Sequence, residues 1–214
     1  VEDCAQAVTA EYNRQRVGSF GEIGVFSLHP LKTLNACGDG GILTTNDQSL
    51  CEQLKLLRNH GLQNRDNCVA FGINSRLDTI QAAILLVKLN YVDSWTERRR
   101  ANAAFYRAQL KDVPGLLVPT DRDGERAVYH TFIIQTSRRD ELKQYLADNG
   151  IETAIHYPIP IHLQDAGACL GYPSGSFPMV EQQAKEILSL PVFPELTSSD
   201  LSYVASHVRT FFGV

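Results

Sequence analysis

Lys32 stands five residues after Ser27 and 29 after Asp3. An amine, a hydroxyl and a carboxylate are thereby set among glycines and short apolar runs. Lys32 follows the turn at Pro30 and precedes Cys37-Gly38-Asp39-Gly40-Gly41, which predicts little room for a solvent-facing stem. A low-dielectric pocket disfavours an ammonium, and the free amine condenses with aldehydes. A carboxylate on the opposite wall, Asp3, suits a cofactor whose ring nitrogen must stay protonated. Hydroxyl and amide donors nearby, Ser27 among them, suit a phosphate. Spacing alone also fits a solvated surface lysine.

The chain that carries these residues has 214 residues, 43% hydrophobic and 21% charged. That is enough for one or two domains with a buried core. Its 20 basic and 24 acidic residues give a net charge of −4. So even a balance provides no global field for nucleic acid or an anionic membrane surface. No apolar run is long enough to span a membrane, and the composition is neither collagen-like nor that of a disordered chain. The five cysteines (Cys4, Cys37, Cys51, Cys68 and Cys169) are irregularly spaced, without C-x-x-C. This argues against a disulfide framework and a zinc site, and for thiols kept reduced in a cytosol. The first residues show no charged n-region or apolar h-region, so no signal peptide is expected, and the expected location is cytoplasmic.

The elements that must position these groups are legible in outline. Residues 23–27 form a compact apolar run that predicts a buried strand, and 42–45 predict the next. Asp47 is placed to cap a helix with Leu50, Leu54 and Leu57 on one face. Residues 62–75 are polar and without period, hence loop. From Leu77 to about Leu110 the pattern is helical, with a break expected near Asp93. Leu77, Ile80, Ile84, Val87, Tyr91 and Trp95 form an apolar stripe expected to be core. Pro114-Gly115 marks a boundary. Beyond it, 116–118 and 129–134 predict strands, 140–149 a helix stopped by Gly150, 155–178 a loop, and 180–188 and 199–212 two further helices. The organisation expected is one domain over 1–112 and a small α+β domain over 113–214.

The stretches VEDCAQA, VGSFGEIGVFSLHPLKTLNACGDGG, LRNHG, FGINSRLDTIQAAILLVKL, IHYPIPIHLQ and EILSLPVFPEL resemble the DegT/DnrJ/EryC1/StrS family of sugar aminotransferases, which use pyridoxal 5'-phosphate (PLP). In that family an E-D-x-A-Q-A element precedes F-S-x-x-P-x-K, as Glu2–Ala7 and Phe26–Lys32 do here, and the match covers nearly the whole chain. The resemblance implies an α/β fold, in which 1–112 is the C-terminal part of a PLP-dependent transferase fold type I large domain. It implies that Lys32 forms the imine with PLP and then moves the proton at the substrate Cα. Asp3 would pair with the ring nitrogen, Gln6 lie against the ring or near its O3′, and Ser27 bind the phosphate. Asn74 would reach the phosphate site of a neighbouring subunit in a homodimer. His29, His156 and Tyr157 are the candidates for substrate contacts, with His162 a weaker one.

By the same resemblance the reaction is transfer of an amino group, with L-glutamate as expected donor, to a nucleotide-linked keto-deoxysugar. Some relatives with histidine at the lysine position are dehydratases, and Lys32 argues against that here. Thr33 stands where the family usually has Asn. The resemblance starts well inside a usual member, after roughly 150 residues, about one domain's length. Strands of the central sheet would then lack neighbours. A catalytically inactive homologue acting as a self-associating or binding module is therefore the alternative expectation.

Overall fold

The computed structural model describes all 214 residues, in two compact units. The first comprises residues 1–97 and 121–130, the second 98–120 and 131–214. The boundary expected at 113 thus lies inside the second unit, which starts at Arg98.

The first unit contains β1 (Glu2–Asp3), β2 (Glu11–Tyr12), β3 (Gln15–Arg16), β4 (Gly24–Ser27), β5 (Gly41–Thr44), α1 (Gln48–Leu57) and α2 (Thr79–Leu89). It also contains the start of α3 (Val92–Leu110), and β6 (Glu125–Arg126). One sheet has the order β1-β4-β5, with β1 parallel and β5 antiparallel to β4. A second, β3-β2-β6, explains why residues 121–130 return to this unit, because Arg126 pairs with Glu11. Both strands expected around β4 and β5 are present. Of β4 only Gly24 is fully buried, and β5 is exposed along its length. Gly24 is required by close approach: a Cβ there would lie 2.6 Å from both the Gly18 Cα and Thr44 Oγ1. Asp47 caps α1 as expected, accepting from the backbone N–H of Ser49 (2.7 Å) and Leu50 (3.0 Å).

The helical region breaks at Asn90–Tyr91, slightly earlier than Asp93. Its expected core stripe is corrected by the structure. Ile80 (71% exposed), Val87 (61%) and Tyr91 face outward, and the buried side chains are Leu85 and Val92. These pack with Leu28, Leu34 and Ala36, flanked by Val8 and Leu77. Eight of the eleven residues of α2 are apolar, so periodicity alone does not select which face this chain covers.

The second unit holds the rest of α3, then β7 (Phe132–Gln135), α4 (Arg139–Asp148), α5 (Pro178–Glu186), β8 (Ile187–Leu190) and α6 (Ser198–Phe212). β7 and β8 pair antiparallel, from Phe132↔Leu190 to Gln135↔Ile187. Phe132, Ile134, Leu188, Leu142, Leu146 and Val208 are fully buried. Four expectations are corrected here. The helix expected to Leu188 stops at Glu186, where buried Arg139 donates to the carbonyls of Ala184 and Ile187 (3.2 Å each) and the chain continues as β8. The strand expected from Tyr129 begins only at Phe132, because Tyr129 has a left-handed φ of 49°. Residues 116–118 supply only a bridge from Leu117 to Gln135. The loop over 155–178 contains short 3-10 turns at Ile161–Leu163 and Asp165–Leu170. No helix is long and apolar enough to cross a membrane, and all five cysteines are free.

Candidate active site

Asp3 and Ser27 occupy the carboxyl ends of neighbouring parallel strands. Asp3 pairs in register with Val25 of β4, and Ser27 closes β4 two residues later. Crevices beyond such strand ends are where open α/β sheets receive ligands. Asp3 is exposed, and its Oδ1 accepts from the N–H of Ala5 (3.0 Å). Gln6, in the turn that follows, is exposed as well.

The segment after β4 is folded on itself. Ser27 Oγ accepts from the N–H of His29 (3.3 Å), and His29 Nδ1 accepts from that of Leu31 (3.2 Å). The N–H of Lys32 donates to the His29 carbonyl, and that of Ala36 to the Leu28 carbonyl (2.8 Å each). Ser27, His29 and Lys32 are therefore brought together on one closed loop. Lys32 is half-buried rather than enclosed. Next to it, Thr33 Oγ1 is buried without a hydrogen-bond partner.

Glu2, next to Asp3, anchors the neighbouring turn, a role that spacing does not reveal. Its carboxylate accepts from the backbone N–H groups of Gly18 (2.7 Å), Phe20 (2.6 Å) and Gly21 (2.5 Å). These bonds, that of Gly21 foremost, hold the Glu2 carboxyl below its usual range. Burial pushes the Cys4 thiol upward, so Cys4 behaves as packing. Glu2 lies inside the E-D-x-A-Q-A stretch, which was the signal available for it.

Asn74 stands on a separate loop, bridged to Asn59, and is exposed. Gly61 closes that loop with φ of 70° and a backbone approach that any Cβ would obstruct, 1.7 Å from the Ala70 carbonyl oxygen.

In the second unit, His156 Nδ1 meets Ser189 Oγ at 2.8 Å, which fixes the ring on β8. Its ring lies edge-on to that of Tyr157, centroids 5.4 Å apart, and Tyr157 is largely exposed. Both line a cavity of about 500 Å³ with Ile133, Gln135, Gln164 and Gln183. His162 is buried and does not line it. Its Nε2 meets Glu181 Oε1 at 2.9 Å and its ring packs against Phe177. Glu181 also accepts from the N–H of Gly175 and Phe177, and with the His162 bond this draws its carboxyl down to about 2. His162 and Glu181 thus form a latch on the 174–177 turn.

The sequence profile of the DegT/DnrJ/EryC1/StrS aminotransferase family matches residues 1–209. A "Pleiotropic regulatory protein" of Geobacillus stearothermophilus is 44% identical over 99% of this chain and 58% of its own length. The dTDP-3-amino-3,4,6-trideoxy-alpha-D-glucose transaminase of Streptomyces venezuelae is 42% identical over 98% of this chain and 55% of its own. The solved structure of S. venezuelae DesV in complex with ketimine intermediate is similar with a TM-score of 0.96 and 40% identity. It is matched over 99% of this chain and 57% of that one. The chain therefore spans a little over half the length of these relatives. By its sequence from Val1 to Arg209, and by a backbone shared with solved members, the chain belongs to the DegT/DnrJ/EryC1/StrS aminotransferase family.

Proposed function

We propose that this chain serves PLP-dependent transfer of an amino group, from L-glutamate, to a nucleotide-linked keto-deoxysugar. The observation that carries the reading is the placement of Asp3, Ser27 and Lys32 at one end of the β1-β4 pair and on the loop leaving it. The donor set fits PLP. A half-buried primary amine meets the need for imine formation, a strand-end carboxylate that for a cationic ring nitrogen, and a strand-end hydroxyl that for a phosphate. The orphaned Thr33 hydroxyl adds unused hydrogen-bonding capacity beside Lys32. When bound, PLP supplies an electron sink for the bonds at the substrate Cα.

In this reading Lys32 is the attachment point and the base that moves the Cα proton. Asp3 holds a proton on the ring nitrogen, Gln6 orients the ring, and Ser27 donates to the phosphate. His29 contacts substrate from the same loop. In the second unit His156 and Tyr157 are substrate contacts, on a cavity whose size suits a small molecule. Asn74 acts across a homodimer in the cytoplasm. Relatives named as transaminases of dTDP-linked aminosugars support the substrate class.

The test is an absorbance titration of the chain with PLP, followed by borohydride reduction and mass mapping. The expected outcome is a modified Lys32 in the native chain and none in Lys32→Ala. A reducible adduct kept by the variant overturns the assignment. Absence of any specific adduct in the native chain favours the alternative, a self-associating or binding module, which the exposed apolar side chains of α2 support.

A further inference from the structure

α2 grips the Lys32 loop with polar side chains at two points on one face. Gln81 Oε1 accepts from the N–H of Cys37 (2.8 Å). Two turns on, half-buried Lys88 extends its Nζ to Asn35, donating to the carbonyl (2.8 Å) and to Oδ1. Leu85 lies between them in the buried cluster with Leu28, Leu34 and Ala36. The Asn35 amide then passes the constraint on, with Nδ2 donating to the carbonyl of Lys32 (2.8 Å). Its orientation is chemically unambiguous, since an ammonium only donates and a carbonyl only accepts.

We propose that Lys88 is a positioning residue for Lys32, acting through Asn35. The path is continuous: Lys88 Nζ to Asn35 Oδ1, Asn35 Nδ2 to the Lys32 carbonyl, and the Lys32 N–H to the His29 carbonyl. It ties the backbone on both sides of the Lys32 Cα to a helix. The first bond is charge-assisted, hence the strongest of the chain. A side chain that must meet a bound group within a fraction of an ångström needs such support from outside the site. The value of this placement for chemistry rests on the reading of Lys32 as the reactive amine. The placement itself does not.

Two measurements separate these on the full chain, with Lys88→Met, Asn35→Ala and the double variant. The first is hydrogen exchange at the Lys32 and Ala36 amides. Each single variant is expected to speed it about tenfold, with exchange in α4 and α6 unchanged. Asn35→Ala keeps the Lys88 bond to the residue-35 carbonyl, so the double variant is expected to exceed it only by the loss of that bond and to fall short of the sum of the single effects. Unchanged loop exchange in Asn35→Ala, which leaves α2 intact, overturns the proposal even where Lys88→Met fails to fold. Additive effects overturn the route through Asn35. The second measurement is the rate of reducible adduct formation with PLP at Lys32, expected to fall in parallel with loosened exchange. Faster loop exchange together with no adduct in the native chain leaves Lys88 as the anchor of this loop and overturns the reading of Lys32 instead.

Discussion

Glu2 and Asp3 are consecutive carboxylates on β1, and their partners assign them different work. Glu2 gathers the N–H groups of Gly18, Phe20 and Gly21, leaving the adjacent Asp3 exposed at the strand end. An ionised carboxylate suits such a set of converging N–H donors; an amide brings a donor of its own and no charge. Glu2→Gln is therefore expected to lower the urea midpoint at neutral pH and to loosen the 17–21 turn. Equal midpoints for the two proteins would remove Glu2 from any structural account of β1. Motif and spacing single out Asp3, Ser27 and Lys32, which lie at the end of β1, at the end of β4 and on the loop that follows. Glu2 and Lys88 act through bonds to groups 16 to 53 residues away, which no local pattern records.

Among the elements, the strands β4 and β5 follow from their apolar runs, and helix ends follow from local rules. The Asp47 cap of α1 and the left-handed Gly150 after α4 follow from short-range chemistry. β6 and β8 escaped notice because each exists by pairing with a distant strand, Glu11–Tyr12 in one case and Phe132–Gln135 in the other. The turn before α5 offers a direct electrostatic test. The Gly175 N–H and the His162 ring draw the Glu181 carboxyl down to about 2 from an ordinary 4.5. A depressed carboxylate contributes stability fully above its unfolded value and loses it as pH falls through the folded one. The stability difference between native chain and Glu181→Gln is thus expected to be largest above about pH 5, shrinking toward pH 2. Urea titrations at several pH values check this. A difference that stays constant from pH 6 to pH 2.5 would show that the ionised latch is not what stabilises the turn.

The first unit carries its apolar surplus on the outside. The stripe Ile80, Ile84, Val87 and Tyr91 has the spacing of a buried face, and of these Ile80, Val87 and Tyr91 are exposed. β5 and β1 are both sheet edges, and β5 is exposed throughout with Ile42 and Leu43 among its residues. Fully burying each large aliphatic side chain gains about 1.5–3 kcal/mol, and open strand edges offer unpaired backbone groups to another chain. Several such side chains on one face exceed the scattered apolar exposure normal for a monomer. The chain is therefore expected to self-associate, with sedimentation velocity showing a weight-average coefficient that rises with concentration. Ile80→Glu with Val87→Glu should reduce that rise while leaving the thermal transition in place, because neither side chain contributes to the chain's own core. A native chain that sediments as a monomer at every concentration would mean that this face is tolerated in water. Association undiminished by the double variant would move the contact to the β5 edge, where Leu43→Lys is the corresponding test.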